Sequence, residues 1–185
     1  MNKKETRFFT IADYEEEEQW LREQHRSGWK LVAMTPPCFY TFESCEPEDV
    51  IYRLDFKDPE ENEGYMDMLK DFGWEYVGKC VGWLYFRKAA ADVESQEEGE
   101  LFSDNLSKME LVSQVIRFRM LPLCLIFFCC IIPNVLKFFR GEVQGPFDLF
   151  LGIFFTLMCV IYVFLITYCG TKLSRIRERY EDKNR

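Results

Sequence analysis

The chain has 185 residues and a formal net charge of −8, a length that allows one modest soluble domain and a membrane anchor. Residues 1–88 hold 12 basic and 19 acidic side chains, residues 89–107 hold six acidic and no basic ones, and residues 108–185 hold 11 basic and six acidic ones. Because an acidic N-terminal part would repel the phosphates of nucleic acid, this charge distribution excludes direct nucleic-acid binding as an expected function.

Residues 6–88 predict a duplicated module. At an offset of 45 positions the sequence matches itself at seven of about 25 residues, and the match places Gly28-Trp29 on Gly73-Trp74. Self-similarity of this kind indicates that one supersecondary unit occurs twice.

The first copy predicts the order strand, helix, strand, strand. A strand is expected over 7–11, followed by a helix with Asp13 as N-cap and Glu16 as its capping-box partner. Gly28 is expected to end this helix with a positive φ, which glycine adopts because it has no Cβ. The remaining elements are strands over 29–34 and 39–43, with a turn at Pro36-Pro37.

The second copy predicts the same order with clearer signals. Alternating apolar and polar residues over 50–56 are typical of a half-buried strand. Asp58 is the expected N-cap of the following helix, and Pro59 suits its first position because the missing N–H is not needed there. Gly73 is expected to end the helix, and a final hairpin turns at Val81-Gly82. The apolar stripe of this helix is Tyr65, Met68, Leu69 and Phe72.

A duplicated βαββ module predicts an α+β domain over 1–88, with a six-stranded sheet and two helices. Both helices should cover one face of the sheet, because each has a single apolar stripe. The opposite face, or the groove between the copies, is then the natural place for a ligand. Modules of this kind resemble the small-molecule-binding GyrI-like effector domains, although likeness of fold does not fix function.

Aromatic and acidic side chains of this domain are the candidate ligand-binding residues. Rings and carboxylates together suit an organic cation. The alternative is that the rings form the core of a small domain. The candidates are Trp29, Tyr40, Glu43, Asp55, Trp74, Tyr76, Trp83 and Tyr85.

The sequence contains no recognisable catalytic or metal-binding motif. His25 is the single histidine and has no Cys, Ser or acidic partner at motif spacing. The eight cysteines include no C-x-x-C pair, so a zinc site is poorly supported and no cofactor is expected. We therefore expect a protein that is not an enzyme.

An acidic linker over 89–107 leads to a predicted transmembrane hairpin over 108–170. Its two spans, about 118–139 and 147–169, are each about 20 apolar residues long, which is enough to cross a hydrocarbon core of about 30 Å. A basic cytoplasmic tail is expected over 171–185.

Prolines and small residues predict how the hairpin packs. Pro122 and Pro133 are expected to kink the first helix. Gly152 and Thr156 are four positions apart and form a small-residue face against which the first helix can pack closely.

Basic residues predict the orientation of the hairpin. Lys108, Arg117 and Arg119 flank the first span and six basic residues follow the second, whereas the connection between the spans holds Lys137 and Arg140. The positive-inside rule then places both termini in the cytoplasm of a cell-membrane protein with two helices.

Six motifs in the first half of the chain occur in a familiar order. They are FF-x-IADYE-x-EE-x-WL (8–21), GWKL (28–31), Y-x-FE (40–43), YRLDF (52–56), D-x-GWEYV (71–77) and W-x-YFRK (83–88). Together they resemble the bacterial domain of unknown function numbered 2812, whose members often carry two membrane helices after this domain. The resemblance implies no activity and no catalytic residue. Members are often encoded beside PadR-like transcriptional regulators, which implies a regulatory role.

Two functions from different classes stay open at this point. The leading hypothesis is a membrane-anchored cytoplasmic sensing or protein-interaction module that is regulatory and non-enzymatic. The alternative is an auxiliary subunit of a membrane transport assembly. The expected partners are the lipid bilayer, a PadR-like transcriptional regulator or another protein, and a cationic small molecule.

Overall fold

The computed structural model describes residues 1–56, 63–93, 99, 101, 113–141 and 145–183. The chain divides into two compact units, Met1–Leu111 and Val112–Arg185. The first is an α+β unit with six strands in two sheets, and the second contains two long apolar helices. The predicted fold class is confirmed at this level, and the arrangement of the sheets and helices differs from the prediction.

The first half of the α+β unit has the elements β1 (Asn2–Thr6), α1 (Tyr14–Arg26), β2 (Trp29–Thr35) and β3 (Phe39–Ser44). They form an antiparallel sheet in the order β1-β3-β2.

The predicted strand over 7–11 is wrong, because the first strand lies earlier. β1 is a polar edge strand that pairs Lys3 with Phe42 and Glu5 with Tyr40, and an edge strand tolerates charged side chains. The apolar residues that follow do not form a strand. The Phe9 ring instead packs 5.6 Å from the ring of Trp20 on α1.

The predicted capping box of α1 is also wrong. Asp13 is the N-cap residue, but its side chain makes no capping bond to the helix. Its carboxylate instead accepts hydrogen bonds from the backbone N–H and the hydroxyl of Thr10, at 2.8 and 2.6 Å. Asp13 is therefore used to close the turn that precedes the helix.

The second half has the elements β4 (Val50–Asp55), α2 (Glu63–Asp71), β5 (Glu75–Cys80) and β6 (Trp83–Ala89). They form a second antiparallel sheet in the order β4-β6-β5. The predicted hairpin is confirmed, and Val81 and Gly82 at its turn have φ of 49° and 83°. The predicted cap at Asp58 and Pro59 lies outside the described residues. A short 3₁₀ turn, Ala90–Asp92, follows β6 at the start of the predicted linker.

The described residues of the unit form two three-stranded sheets, so the prediction of one six-stranded sheet is wrong. β2 and β5 lie side by side, but they share no ladder of backbone hydrogen bonds. Each strand has a β-bulge, between Leu31 and Ala33 in β2 and between Tyr76 and Gly78 in β5, positions that are 45 residues apart. A bulge bends and twists a strand, which prevents continuous pairing along its free edge.

The two helices pack on opposite faces of the second sheet. α1 meets the face that carries Tyr52 and Tyr85, whereas Leu69 of α2 packs on the face that carries Ile51 and Phe86. The prediction that both helices cover one face is therefore wrong. As a consequence β4 is buried on both faces, and its predicted half-buried pattern is wrong as well.

The apolar stripe of α2 is only partly inward. Leu69 is buried and Tyr65 is partly buried, but Met68 and Phe72 are exposed, and Met66 packs on the core instead. The prediction that Met68 and Phe72 face the core is wrong. The face of α2 that contacts the sheet is narrower than the spacing of its apolar residues suggested.

The positive φ predicted at both helix ends is confirmed. Gly28 has φ of 85° and Gly73 has φ of 81°. Their N–H groups each donate to a carbonyl three residues back, on His25 and Lys70, at 2.9 Å. A Cβ at Gly28 would also lie 3.2 Å from the carbonyl oxygen of Cys45, so this position has little space for a side chain.

The second unit contains α3 (Ser113–Phe139) and α4 (Pro146–Lys183), which are both long and apolar enough to cross a membrane. α3 switches to π-helical hydrogen bonding over Ile116–Met120 and Phe127–Ile131, and each switch comes just before a proline, Pro122 or Pro133. A proline explains this change in hydrogen bonding, because it has no N–H to donate and its ring displaces the carbonyl one turn before it.

α3 and α4 pack closely at Gly152. A Cβ on Gly152 would overlap the ring of Phe138, so the glycine admits this ring against the helix backbone. The hydroxyl of Thr156 donates to the carbonyl of Gly152 at 2.8 Å, which satisfies a polar group within α4. The predicted tail continues α4 as far as Lys183, so 38 residues form one helix of about 57 Å.

Candidate functional site

Two of the predicted ligand-binding residues lie on the α2 face of the second sheet. Asp55 is fully buried, and its carboxylate accepts hydrogen bonds from the Tyr65 hydroxyl and the Phe56 N–H, both at 2.8 Å. Trp74 is buried in a cluster with Ile51, Leu69, Leu84 and Phe86. Both residues contribute to the core between α2 and the sheet.

Tyr40 and Tyr85 lie together on the α1 side, where they meet Glu17. Both hydroxyls donate to the same oxygen, Oε1 of Glu17, at 2.8 Å from Tyr40 and 2.6 Å from Tyr85. Tyr40 belongs to the first sheet and Tyr85 to the second, so this buried carboxylate on α1 joins the two sheets. Burial raises the pKa of Glu17, against the opposing effect of the two hydroxyl donors.

The other four predicted residues are dispersed. Trp83 is buried and stacks on Tyr14, with ring centroids 5.5 Å apart. The Lys3 ammonium lies 5.3 Å from the centroid of the Trp29 ring, and Glu43 pairs with Lys30 at 3.0 Å. Tyr76 is 43 % exposed. The structure therefore does not bring the eight predicted residues together in one groove, and a ligand-binding role for them stays a prediction.

An open groove of about 430 Å³ lies elsewhere on the α+β unit. Its wall is formed by the end of α1, the start of β2, the connection from β3 to β4, and the outer part of β5 and β6. The lining residues that carry charge or a titratable group are His25, Lys30, Cys45, Glu46, Glu48, Glu75, Arg87, Lys88 and Asp92. None of the eight predicted residues lines it.

Two cations of this groove are already neutralised by carboxylates. Arg87 makes a bidentate ion pair with Glu75, with bonds of 2.7 and 2.5 Å, and its remaining nitrogen donates to the Leu31 carbonyl at 3.2 Å. This ion pair lowers the pKa of Glu75. Lys30 is paired with Glu43.

The single histidine is a fixed part of the groove wall. Its Nδ1 lies 2.9 Å from the Tyr52 hydroxyl, and that hydroxyl also accepts from the Leu31 N–H at 3.3 Å. Burial and the neighbouring charge of Arg87 lower the pKa of His25 below its usual value. His25 is therefore neutral near pH 7. In this form its ring shares a hydrogen bond with the hydroxyl of Tyr52.

The segment that carries Glu46 and Glu48 is held against α1. Asp49 accepts bidentate bonds from both Arg22 and Arg26, with four distances between 2.6 and 2.8 Å. These two guanidinium groups lower the pKa of Asp49. Asp49, which does not itself line the groove, thus anchors the segment that carries Glu46 and Glu48 to α1.

Among the described residues that line the groove, Lys88 is the cation whose side chain has no partner. The residue is 9 % exposed, and no described residue makes a hydrogen bond or ion pair with its amino group. Sequence reasoning missed it, although a signal exists: Leu84, Phe86 and Lys88 alternate on β6, so the lysine continues a buried face.

Fold and site together define an α+β protein with an open, charged groove, followed by two helices long and apolar enough to cross a membrane. A family model described as "Protein of unknown function (DUF2812)" matches residues 13–126, which is more than half of the chain. The chain belongs to this family. No curated protein and no solved structure matches it.

Proposed function

We propose that the chain is a membrane-anchored sensing or protein-interaction module that is regulatory and performs no chemistry. In this proposal the α+β unit binds a charged ligand or a protein, and α3 and α4 hold it at the cell membrane. The observation that carries the proposal is the open groove, which presents charged groups that have no partner among the described residues, on a unit whose aromatic core is filled by its own side chains.

The way in which the charged groups of the groove are held supports binding rather than catalysis. The strongest donors and acceptors of the groove, Arg87, Glu75 and His25, are held by neighbours within the protein. Groups held in this way shape a site and set its charge, and they are poorly placed to exchange protons with a substrate.

The proposed partners are the lipid bilayer, a protein such as a PadR-like transcriptional regulator, and a small molecule that carries positive charge. Positive charge is favoured because Glu46, Glu48 and Asp92 are exposed at the groove and no described residue pairs with them. Direct nucleic-acid binding is disfavoured by the same charges.

A crosslinked pull-down from native membranes tests the proposal, with the full chain as bait. We expect a defined protein to be recovered, and we expect the triple variant Glu46→Gln, Glu48→Gln, Asp92→Asn to recover less of it. The matched control is Glu15→Gln, Glu16→Gln on α1, which removes one exposed and one partly exposed charge at positions that do not line the groove. Recovery that is equal in all three would contradict a binding role for the groove, and a stable ring of subunits would favour the transport assembly instead.

We further propose that both termini are cytoplasmic. In a background without native cysteines, Gly145→Cys between the helices should react with a membrane-impermeant reagent in intact cells, and Glu178→Cys near the end of α4 should not. The reason is the positive-inside rule: six basic residues follow the second span, around Glu178, whereas the connection between the spans holds only Lys137 and Arg140. Labelling at 178 and not at 145 would reverse the proposed orientation.

A further inference from the structure

We propose that the groove binds a small zwitterion, with its anionic group on Lys88 and its cationic group on the rim formed by Glu46, Glu48 and Asp92. This inference rests on the proposed sensing function and names the chemistry of its ligand. The proposed ligand is therefore a zwitterion and not the simple organic cation that the aromatic and acidic residues of the sequence suggested.

The first argument is the position of Lys88. Its side chain lies on the same face of β6 as Phe86, and its Cε and Nζ lie 3.5 and 3.9 Å from the place that a Cβ on Gly73 would occupy. Gly73 and Lys88 both line the groove, and the end of the lysine side chain lies beside the glycine. The side chain is 9 % exposed as a whole, but its Nζ is not sealed from solvent and has no hydrogen-bond partner among the described residues. An anionic group in the groove would supply that missing partner.

The second argument is that other groups in the groove do not compete for this anion. Arg87 is occupied by Glu75, and Lys30 is occupied by Glu43. His25 shares its Nδ1 with Tyr52 and is held neutral by the lowered pKa described above. Among the described cations that line the groove, Lys88 is left to receive the anion.

The third argument is the opposite charge of the rim. Glu46 and Glu48 are exposed on the connection from β3 to β4, and Asp92 is exposed on the 3₁₀ turn after β6. A ligand with only a negative charge would be repelled by these carboxylates, and one with only a positive charge would be repelled by Lys88. A molecule that carries both charges satisfies both parts of the groove.

The size of the groove limits the ligand. A volume of about 430 Å³ is within the range of small-molecule sites and small for a folded protein segment. The shared chemistry is an ammonium group joined by a short chain to an acid. Two sources have it, a free amino acid with a carboxylate and an ethanolamine headgroup with a phosphate.

The experiment is calorimetry with the full chain in nanodiscs of neutral phosphatidylcholine. The probes are glycine, 4-aminobutyrate and 6-aminohexanoate, which separate the same two charges by increasing distances, together with O-phosphorylethanolamine. Hexanoate and hexylamine are the matched probes that carry one charge each. We expect at least one zwitterion to bind tenfold or more tightly than both single-charge probes. Preference for 4-aminobutyrate or 6-aminohexanoate would identify a carboxylate source, and preference for O-phosphorylethanolamine a headgroup.

Lys88→Met is the decisive variant, because it keeps an unbranched apolar chain against Gly73 and removes the charge. We expect it to weaken the zwitterion roughly tenfold or more, the effect of losing a hydrogen bond to a charged group. Without ligand it should melt at the same temperature as the parent chain or higher, because the amino group that it removes makes no hydrogen bond or ion pair with a described residue. Lys70→Met, at an exposed lysine on α2, is the control and should change neither binding nor melting.

A second set of variants keeps the proposal testable if Lys88→Met fails to fold. Glu46→Gln, Glu48→Gln and Asp92→Asn change exposed groups and should weaken the zwitterion while leaving hexanoate unaffected or better bound. Equal binding of zwitterion and single-charge probes, or no effect of either set, would overturn the inference. If no probe binds while the pull-down still depends on the rim, the zwitterion is wrong and the proposed sensing function stands.

Discussion

Replacing Tyr40 and Tyr85 together with Phe should lower the free energy of unfolding by about 2–5 kcal/mol, because the carboxylate of Glu17 would then lose both hydroxyl donors. Glu17 is 6 % exposed, so water cannot take their place. A hydrogen bond to a charged group contributes about 1.5–3 kcal/mol, and leaving a buried group without its partner costs about as much. The two tyrosines belong to different sheets, so the loss also weakens the junction that α1 makes between them.

The measurement is urea unfolding of the full chain in mild detergent, followed by tryptophan fluorescence. Tyr76→Phe is the matched control, because this tyrosine is substantially exposed, and its hydroxyl has no hydrogen-bond partner among the described residues. We expect the control to change stability by less than about 0.5 kcal/mol. A double variant as stable as the parent would mean that Glu17 is satisfied in some other way.

The pH dependence of the same cluster gives an independent check. Burial raises the pKa of Glu17 above its unfolded value of 4.5, so the folded chain binds this proton more tightly than the unfolded chain does. Its contribution to stability is fully present below pH 4.5 and is lost as pH rises through the folded pKa. In Glu17→Gln this part of the profile should be flat, since glutamine stays neutral and its carbonyl oxygen can still accept from the tyrosines. An unchanged profile in Glu17→Gln would assign the pH dependence to another group.

Local patterns predicted much of the fold, and the failures have physical causes. The β5–β6 hairpin follows from Val81-Gly82, and the ends of α1 and α2 follow from Gly28 and Gly73, because each signal depends only on the backbone of a few residues. β1 was missed because an edge strand needs hydrogen bonds and no apolar alternation. The break between the sheets depends on bulges in β2 and β5, which alternation alone does not reveal.

The candidate site was harder to predict than the fold. Aromatic residues suggested a cation site, yet Trp74, Trp83 and Tyr85 are core residues of a small unit. The groove is formed by segments from both halves of the unit, and its chemistry depends on which charges are paired. The sequence does not show whether Glu75 or Lys88 is paired. In the structure Glu75 pairs with Arg87, whereas the side chain of Lys88 has no partner among the described residues.

Replacing Gly152 with Leu should destabilise the packing of α3 against α4 by several kcal/mol. Even the Cβ of an alanine would overlap the ring of Phe138 at Cγ, Cδ2 and Cε2, and a rigid ring cannot move aside as a flexible chain end can. Overpacking a close contact costs about 1–3 kcal/mol, and the longer side chain of leucine adds to the displacement. Small residues let two helix backbones approach within a membrane, where no hydrophobic force drives the helices together.

The measurement is titration of the detergent-solubilised chain with SDS, followed by energy transfer between probes at the two ends of the hairpin. Gly170→Ala is the matched control in the same helix, because a Cβ there would lie 3.9 Å from Met120, an ordinary contact distance. This control should leave stability unchanged or raise it slightly, since alanine favours a helix more than glycine does. Phe138→Ala should restore much of the stability lost in Gly152→Leu, because it removes the ring that the leucine displaces. If the helices of the Gly152→Leu variant separate at the same SDS concentration as those of Gly170→Ala, the close contact at Phe138 does not hold the hairpin together.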